Sequence, residues 1–200
     1  MNQTILYKVK NNLYINLTNR CPCDCVFCIR QNAPGVYGSD NLWLEHEPSF
    51  DEVVAEFEKF PPDTYDEIVF CGYGEPTERL ELMIDVAKYA KKEFNKHIRV
   101  NTNGLSNLIN GKPTESLFEN AVDTVSISLN APEKDEYNKI TRPIWDNAFD
   151  ELLKFASNVK QYVPEVIFTI VDVLSKDDTE KCRKLAEKCG VKLRIRKLDT

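Results

Sequence analysis

Four cysteines fall within the stretch Thr18–Cys28, TNRCPCDCVFC. Taken as Cys21, Cys25 and Cys28, three of them are separated by three residues and then two. Three thiolates this close can wrap a cubane iron–sulfur cluster while leaving one iron without a protein ligand. An iron with a free position can bind a small molecule and pass an electron to it. The same residues also allow a zinc site, or a closed electron-transfer cluster with Cys23, His46 or Cys71 as the fourth ligand. A second chemical stretch is Gly72-Tyr73-Gly74-Glu75-Pro76. Its glycines let the backbone approach a ligand, and Glu75 offers a carboxylate suited to an ammonium. Without a ligand, the same residues read as a strand-to-helix turn. Asn101-Thr102-Asn103-Gly104 taken alone reads as an Asn-Gly turn.

The elements that must carry these residues follow from hydrophobic period. Ile5–Val9 and Leu13–Leu17 flank Lys10-Asn11-Asn12, which predicts an N-terminal β-hairpin whose second strand delivers the cysteine loop. Residues 29–48 lack periodicity and predict a long loop, read as a lid with Trp43 and Leu44 as its apolar contacts. Ser49 then caps an amphipathic helix that stops at Pro61-Pro62. Further strands are predicted at Glu67–Cys71, His97–Thr102, Val122–Asn130, Glu165–Val173 and Val191–Ile195. Helices are predicted at Leu80–Phe94, Ser116–Asn120, Glu133–Ile140, Asn147–Tyr162 and Thr179–Cys189.

Strands alternating with helices imply βαβ units and a parallel sheet. Val125, Ile127 and Leu129 share one face of their strand, and Ser126, Ser128 and Asn130 share the other. Leu13, Ile15 and Leu17 oppose Tyr14, Asn16 and Thr18 in the same way, and Ile98 and Val100 oppose Arg99 and Asn101. A strand sandwiched between helices is apolar on both faces, so one polar face per strand favours an α/β partial (βα)6 barrel around a polar cavity over an open doubly wound sheet.

With 200 residues, 42% hydrophobic and 29% charged, the chain has the composition of one globular domain over 1–200. No apolar run approaches membrane length. Seven cysteines at short spacings point to a reducing cytosol and to metal rather than disulfides. The net charge of −6 argues against broad nucleic-acid binding. The one basic cluster, Lys192, Arg194, Arg196 and Lys197, reads as a solvated terminal strand. Cys23 is expected to point away from the site and Cys71 to pack in the core, while Cys182 and Cys189 share a helix face.

The three-then-two spacing, with Phe27 before the third cysteine, resembles the signature of the radical S-adenosylmethionine (SAM) enzymes. The resemblance implies that Cys21, Cys25 and Cys28 hold a 4Fe-4S cluster whose open iron chelates SAM. It further implies reductive cleavage of SAM and hydrogen abstraction from a substrate by a 5′-deoxyadenosyl radical. Gly72, Tyr73, Gly74, Glu75 and Pro76 would then correspond to a Gly-Gly-Glu-Pro stretch that holds the SAM amino group, with Tyr73 in place of the first glycine. Asn101 and Asn103 would lie near the ribose and methionine. Ser126, Ser128 and Asn130 match positions that contact ribose and carboxylate, and Arg142 resembles an arginine that pairs with the carboxylate. The stretches NLTNRCPCDCVFCIR, FCGYGEPTERL, VNTNGL and DTVSISLNAP are similar to the small TatD-linked subgroup. Carboxydeazaguanine synthases and glycyl-radical-enzyme activases share the small size and match less well. Implied partners are SAM, a flavodoxin- or ferredoxin-type electron donor, and a large substrate or partner protein at the open side of the barrel. Two remaining cysteines cannot build a second cluster domain, so a one-cluster core is expected. The rival from another class is a zinc- or Fe-S-stabilised scaffold or electron-transfer protein.

Overall fold

The computed structural model describes residues 3–31, 35 and 38–197. A seven-stranded sheet runs in strict chain order: β1 (Leu6–Val9), β2 (Asn12–Ile15), β3 (Glu67–Phe70), β4 (His97–Thr102), β5 (Thr124–Ser128), β6 (Glu165–Val171) and β7 (Lys192–Arg196). β1 pairs antiparallel with β2 as a hairpin, and every later pair is parallel. A doubly wound sheet reverses its strand order at a switch point. This one never reverses, so right-handed crossovers put all helices on one face and curl the sheet into a partial barrel.

The helices are α1 (Phe50–Glu56), α2 (Leu80–Phe94), α3 (Ser106–Asn110), α4 (Lys134–Thr141), α5 (Ala148–Val159) and α6 (Lys176–Cys189). α1 begins in the capping box expected at Ser49, with Glu52 closing it. α2 buries Met83, Ala87 and Ala90 at helical spacing. Cys182 and Cys189 share the buried face of α6, which ends at Gly190 in the left-handed region (φ 68°). In place of a helical piece at Ser116–Asn120 stand α3 and a 3₁₀ turn at Glu115–Phe118. Five residues are too few to display a helical period.

The alternation sets the two faces of the sheet. Val100, Val125 and Ile127 are fully buried against the helices. Register pairs Asn101 with Ser126, Ser128 with Thr169, and Thr169 with Arg194, stacking polar side chains across β4 to β7 on the concave side. The concave side encloses a cavity of about 740 Å³, within the usual size range of small-molecule sites. β1 and β7 form the two edges of the sheet, and the barrel stays open between them.

Candidate active site

The cysteine loop leaves the C-terminal end of β2, where α/β barrels carry their chemistry. Its back is fastened to the end of α4. Asp24 N donates to Thr141 O (3.0 Å), Val26 N to Ile140 O (2.9 Å), and Ile144 N to Pro22 O (3.1 Å). Its front is fastened to the loop after β3, where Glu75 N donates to Arg20 O (2.8 Å). So held, Cys21, Cys25 and Cys28 all line the cavity, together with Phe27. Cys23 lines it too, buried and within hydrogen-bond reach of both Cys21 and Cys25. This corrects the expectation that Cys23 points away: Cys23 is bridged to Pro143 as in a strand, and residues two apart in such a segment face the same side, so it lies with Cys21 and Cys25. The Cys23 thiol, held strongly in its protonated form, is the main influence lowering the Cys21 and Cys25 pKa values. Thiolate is the form that ligates iron. Burial pushes Cys28 up, partly offset by Arg30.

Gly72, Tyr73, Gly74, Glu75 and Pro76 also line the cavity, and the glycines have a packing role as well. A Cβ at Gly74 would run into the Thr18 carbonyl and lie 2.7 Å from Arg20 O. A Cβ at Gly72 would run into the Asn16 side chain. Both positions let the β3 loop press against the strand and loop carrying the cysteines. Tyr73 is buried against Trp43, ring centroids 5.2 Å apart, within a small cluster that includes Tyr7, Val9 and Leu42. That contact seats the described part of the lid segment. Asn16 Nδ2 donates to Leu42 O (2.7 Å), and Asn19 Nδ2 to Leu44 O (2.8 Å). Leu42 and Leu44 are buried while Trp43 is partly exposed; positions 32–34, 36 and 37 of the predicted loop lie outside the described residues.

Glu75 is buried, and its carboxylate accepts four hydrogen bonds. Oε1 takes Thr77 N (3.1 Å), Thr77 Oγ1 (2.8 Å) and Thr102 Oγ1 (2.7 Å); Oε2 takes Asn103 N (2.7 Å). It thus caps the 3₁₀ turn Pro76–Arg79 and ties the β3 loop to the end of β4. Burial raises its pKa despite these donors.

Asn101, Asn103, Ser126, Ser128 and Asn130 line the same cavity. Asn130 adopts a left-handed conformation (φ 62°), which ends β5 earlier than the alternation predicts. Its Oδ1 is buried with no hydrogen-bond partner. A buried acceptor left unpaired is costly unless a ligand satisfies it.

Arg142 stands apart from the other expected residues. It lies outside the cavity lining, half-exposed, in the left-handed C-cap of α4 (φ 45°), and its Nη1 sits 3.7 Å from Asp24 Oδ2. Its carbonyl also accepts from Asp24 N (3.3 Å), so it braces the back of the cysteine loop. His46, a candidate fourth ligand, instead pairs with Glu52 (2.7 Å) on the surface. Cys71 faces the cavity rather than the core. The basic cluster is not wholly solvated either: Arg194, Arg196 and Lys197 line the cavity. The alternation marked Arg99 as polar-facing without giving it a role. It is buried, salt-bridged to Glu67 (2.6 Å) and hydrogen-bonded to Asn101 Oδ1 (2.9 Å).

A one-way wound sheet with a cysteine loop at the top of its first parallel strand, facing a polar interior, defines an open α/β barrel with its candidate site at the C-terminal ends of the strands. Residues 15–189 match the Radical SAM superfamily, and the chain belongs to that family of enzymes. The family implies a 4Fe-4S cluster and SAM. A GTP 3′,8-cyclase of Lactiplantibacillus plantarum is 27% identical over 166 residues, 83% of this chain and 47% of that protein. The tungsten-containing aldehyde ferredoxin oxidoreductase cofactor-modifying protein of Pyrococcus furiosus is 25% identical, over 87% of this chain and 46% of its own length. The crystal structure of Streptococcus suis SuiB bound to the precursor peptide SuiA superposes with a TM-score of 0.64 at 14% identity, covering 94% of this chain and 39% of that one. The chain thus spans about half the length of the curated relatives it matches. Among the described residues, no helix is long and apolar enough to cross a membrane.

Proposed function

We propose that this chain cleaves SAM reductively and directs the resulting radical at a hydrogen of its substrate. One observation carries the reading. Cysteines 21, 25 and 28 open onto the same polar cavity as Asn130, whose buried Oδ1 lacks a partner. The donor set fits the groups that the family implies. A 4Fe-4S cluster bound there would supply the electron, and SAM the 5′-deoxyadenosyl radical.

The protein's own part is binding, orientation and exclusion of water. Cys21, Cys25 and Cys28 hold the cluster, with Cys23 kept as a thiol between two of them. Glu75 Oε2, which accepts only one hydrogen bond, is available to an ammonium, and the cation offsets the burial that raises this carboxyl. Asn130 Oδ1 would accept from a ribose hydroxyl, and Ser128 and Ser126 present hydroxyls two and four residues before it. Asn101, paired in register with Ser126, and Asn103 extend the same wall across β4. Leu42 and Tyr73 close the site on the lid side.

The electron would come from a flavodoxin- or ferredoxin-type donor in a reducing cytoplasm. The opening between β1 and β7 would admit the substrate. The motif similarity favours the TatD-linked subgroup. Anaerobic reconstitution with iron and sulfide tests the reading. About four irons per chain, with methionine and 5′-deoxyadenosine formed after dithionite and SAM, are expected. One tightly bound zinc and intact SAM would overturn it.

A further inference from the structure

The cavity carries a charge opposite to that of the chain as a whole. Lys10, Arg99, Arg194, Arg196 and Lys197 line it, and Glu75 is the one acidic side chain among its described lining residues. The full sequence holds 26 Lys and Arg against 32 Asp and Glu. Five of the 26 and one of the 32 therefore meet in one concavity.

Arg99 and Arg194 differ in how their charge is met. Arg99 is matched by Glu67, whose Oε1 also accepts from Asn12 Nδ2 (2.7 Å). Arg194 has no carboxylate within ion-pair distance among the described residues; its Nη2 donates to the Ser126 hydroxyl at 3.0 Å. Register brings Arg194 beside Thr169 and Ser128, so its guanidinium stands over a row of hydroxyls. Burial and the neighbouring Arg99 charge both lower the Arg194 pKa, the signature of two cations sharing a partly desolvated space. A fork of N–H donors beside hydroxyls matches a planar or tetrahedral oxyanion.

We infer that this basic side of the cavity seats the oxyanion of a small-molecule substrate, a phosphate or a carboxylate, with Arg194 as its principal contact. The inference rests on the function proposed above and adds the substrate's chemical class to it. The cavity's size fits a small molecule beside SAM rather than a polymer strand. The seat lies on β7, at the far end of the parallel strands from β2 and its cysteine loop.

Calorimetric titration of the cluster-loaded chain with inorganic pyrophosphate and, separately, with citrate tests this at matched ionic strength. Saturable binding of either anion is expected, pyrophosphate alone pointing to phosphate esters and citrate alone to carboxylates. Arg194→Gln should weaken that binding about tenfold or more, and Arg194→Lys less. Arg183→Gln, on the exposed face of α6, should leave it unchanged. Saturating SAM should not displace the anion from the wild type; displacement would assign Arg194 to the SAM carboxylate and overturn the proposal. So would equal losses in the Arg194 and Arg183 variants, or no saturable binding of either anion. Formation of 5′-deoxyadenosine by the wild type is read separately, so failure of the anion seat is distinguishable from failure of the SAM reading.

Discussion

Gly74→Ala separates two uses of the glycine-containing loop. If the glycines serve only a ligand, a methyl group at 74 costs nothing until SAM arrives. In this structure the methyl instead meets backbone: the Thr18 carbonyl, and Arg20 O at 2.7 Å. Neither atom is the end of a flexible side chain, so the β3 loop and the cysteine loop must separate. Separation stretches the Glu75 N to Arg20 O hydrogen bond (2.8 Å) beside it. Overpacking of this kind costs about 1–3 kcal/mol, and a buried donor left unpaired costs about 1–3 kcal/mol. Because one displacement produces both effects, they do not simply add. The expected loss is about 3 kcal/mol, or a fall in Tm of about 6–12 °C for a chain of this size. Urea unfolding of the cluster-free protein, followed by far-UV circular dichroism, measures it without any ligand present. Iron retention after reconstitution should fall in parallel, since the displaced backbone carries Cys21. A stability change below about 0.5 kcal/mol accompanied by weaker SAM binding would refute the packing argument.

Three further outcomes are expected. Cys25→Ser should abolish iron binding while Cys23→Ser retains it, measured as iron per chain after anaerobic reconstitution; the reverse pattern would mean that the ligand register is shifted. Because burial raises the Glu75 pKa above its ordinary 4.5, the folded state binds the proton more tightly than the unfolded chain. Stability should therefore decline as pH rises from about 4.5 through the raised value, and Glu75→Gln should remove that part of the slope. Parallel urea midpoints of the two proteins against pH would contradict this. Arg142→Ala should change SAM affinity less than about twofold, because its partner is the exposed Asp24 at 3.7 Å rather than a cavity ligand. A tenfold loss by equilibrium dialysis would return Arg142 to the site.

What could be read from the chain without its fold was periodicity, and periodicity fixes faces but not neighbours. The polar faces of β4 and β5 were legible because each strand alternates cleanly between buried and polar residues, which a barrel around a polar cavity requires. Asn101, Ser126 and Ser128 followed directly. Three assignments needed information that alternation does not contain. Cys23 faces the cavity beside Cys21 and Cys25, a placement set by its bridge to Pro143 and not by the three-then-two spacing of the ligands. Arg142 sits in a left-handed helix cap, and only the direction of that cap sends its side chain to Asp24 and away from the cavity. β7 shows Lys192, Leu193, Arg194, Ile195 and Arg196 in alternation, a pattern equally suited to a solvated edge and to the last wall of a barrel. Its register with β6, Thr169 beside Arg194, decides between them by aligning the charged row with the polar row of the strand before it. The same reasoning explains the glycines. Their freedom was visible in the sequence, but the surface they approach, the backbone of the cysteine loop, is brought there only when β2 and β3 pair. Cysteine loop and glycine loop therefore act as one packed unit, and a change in the glycine loop should be felt in the iron that the cysteine loop retains.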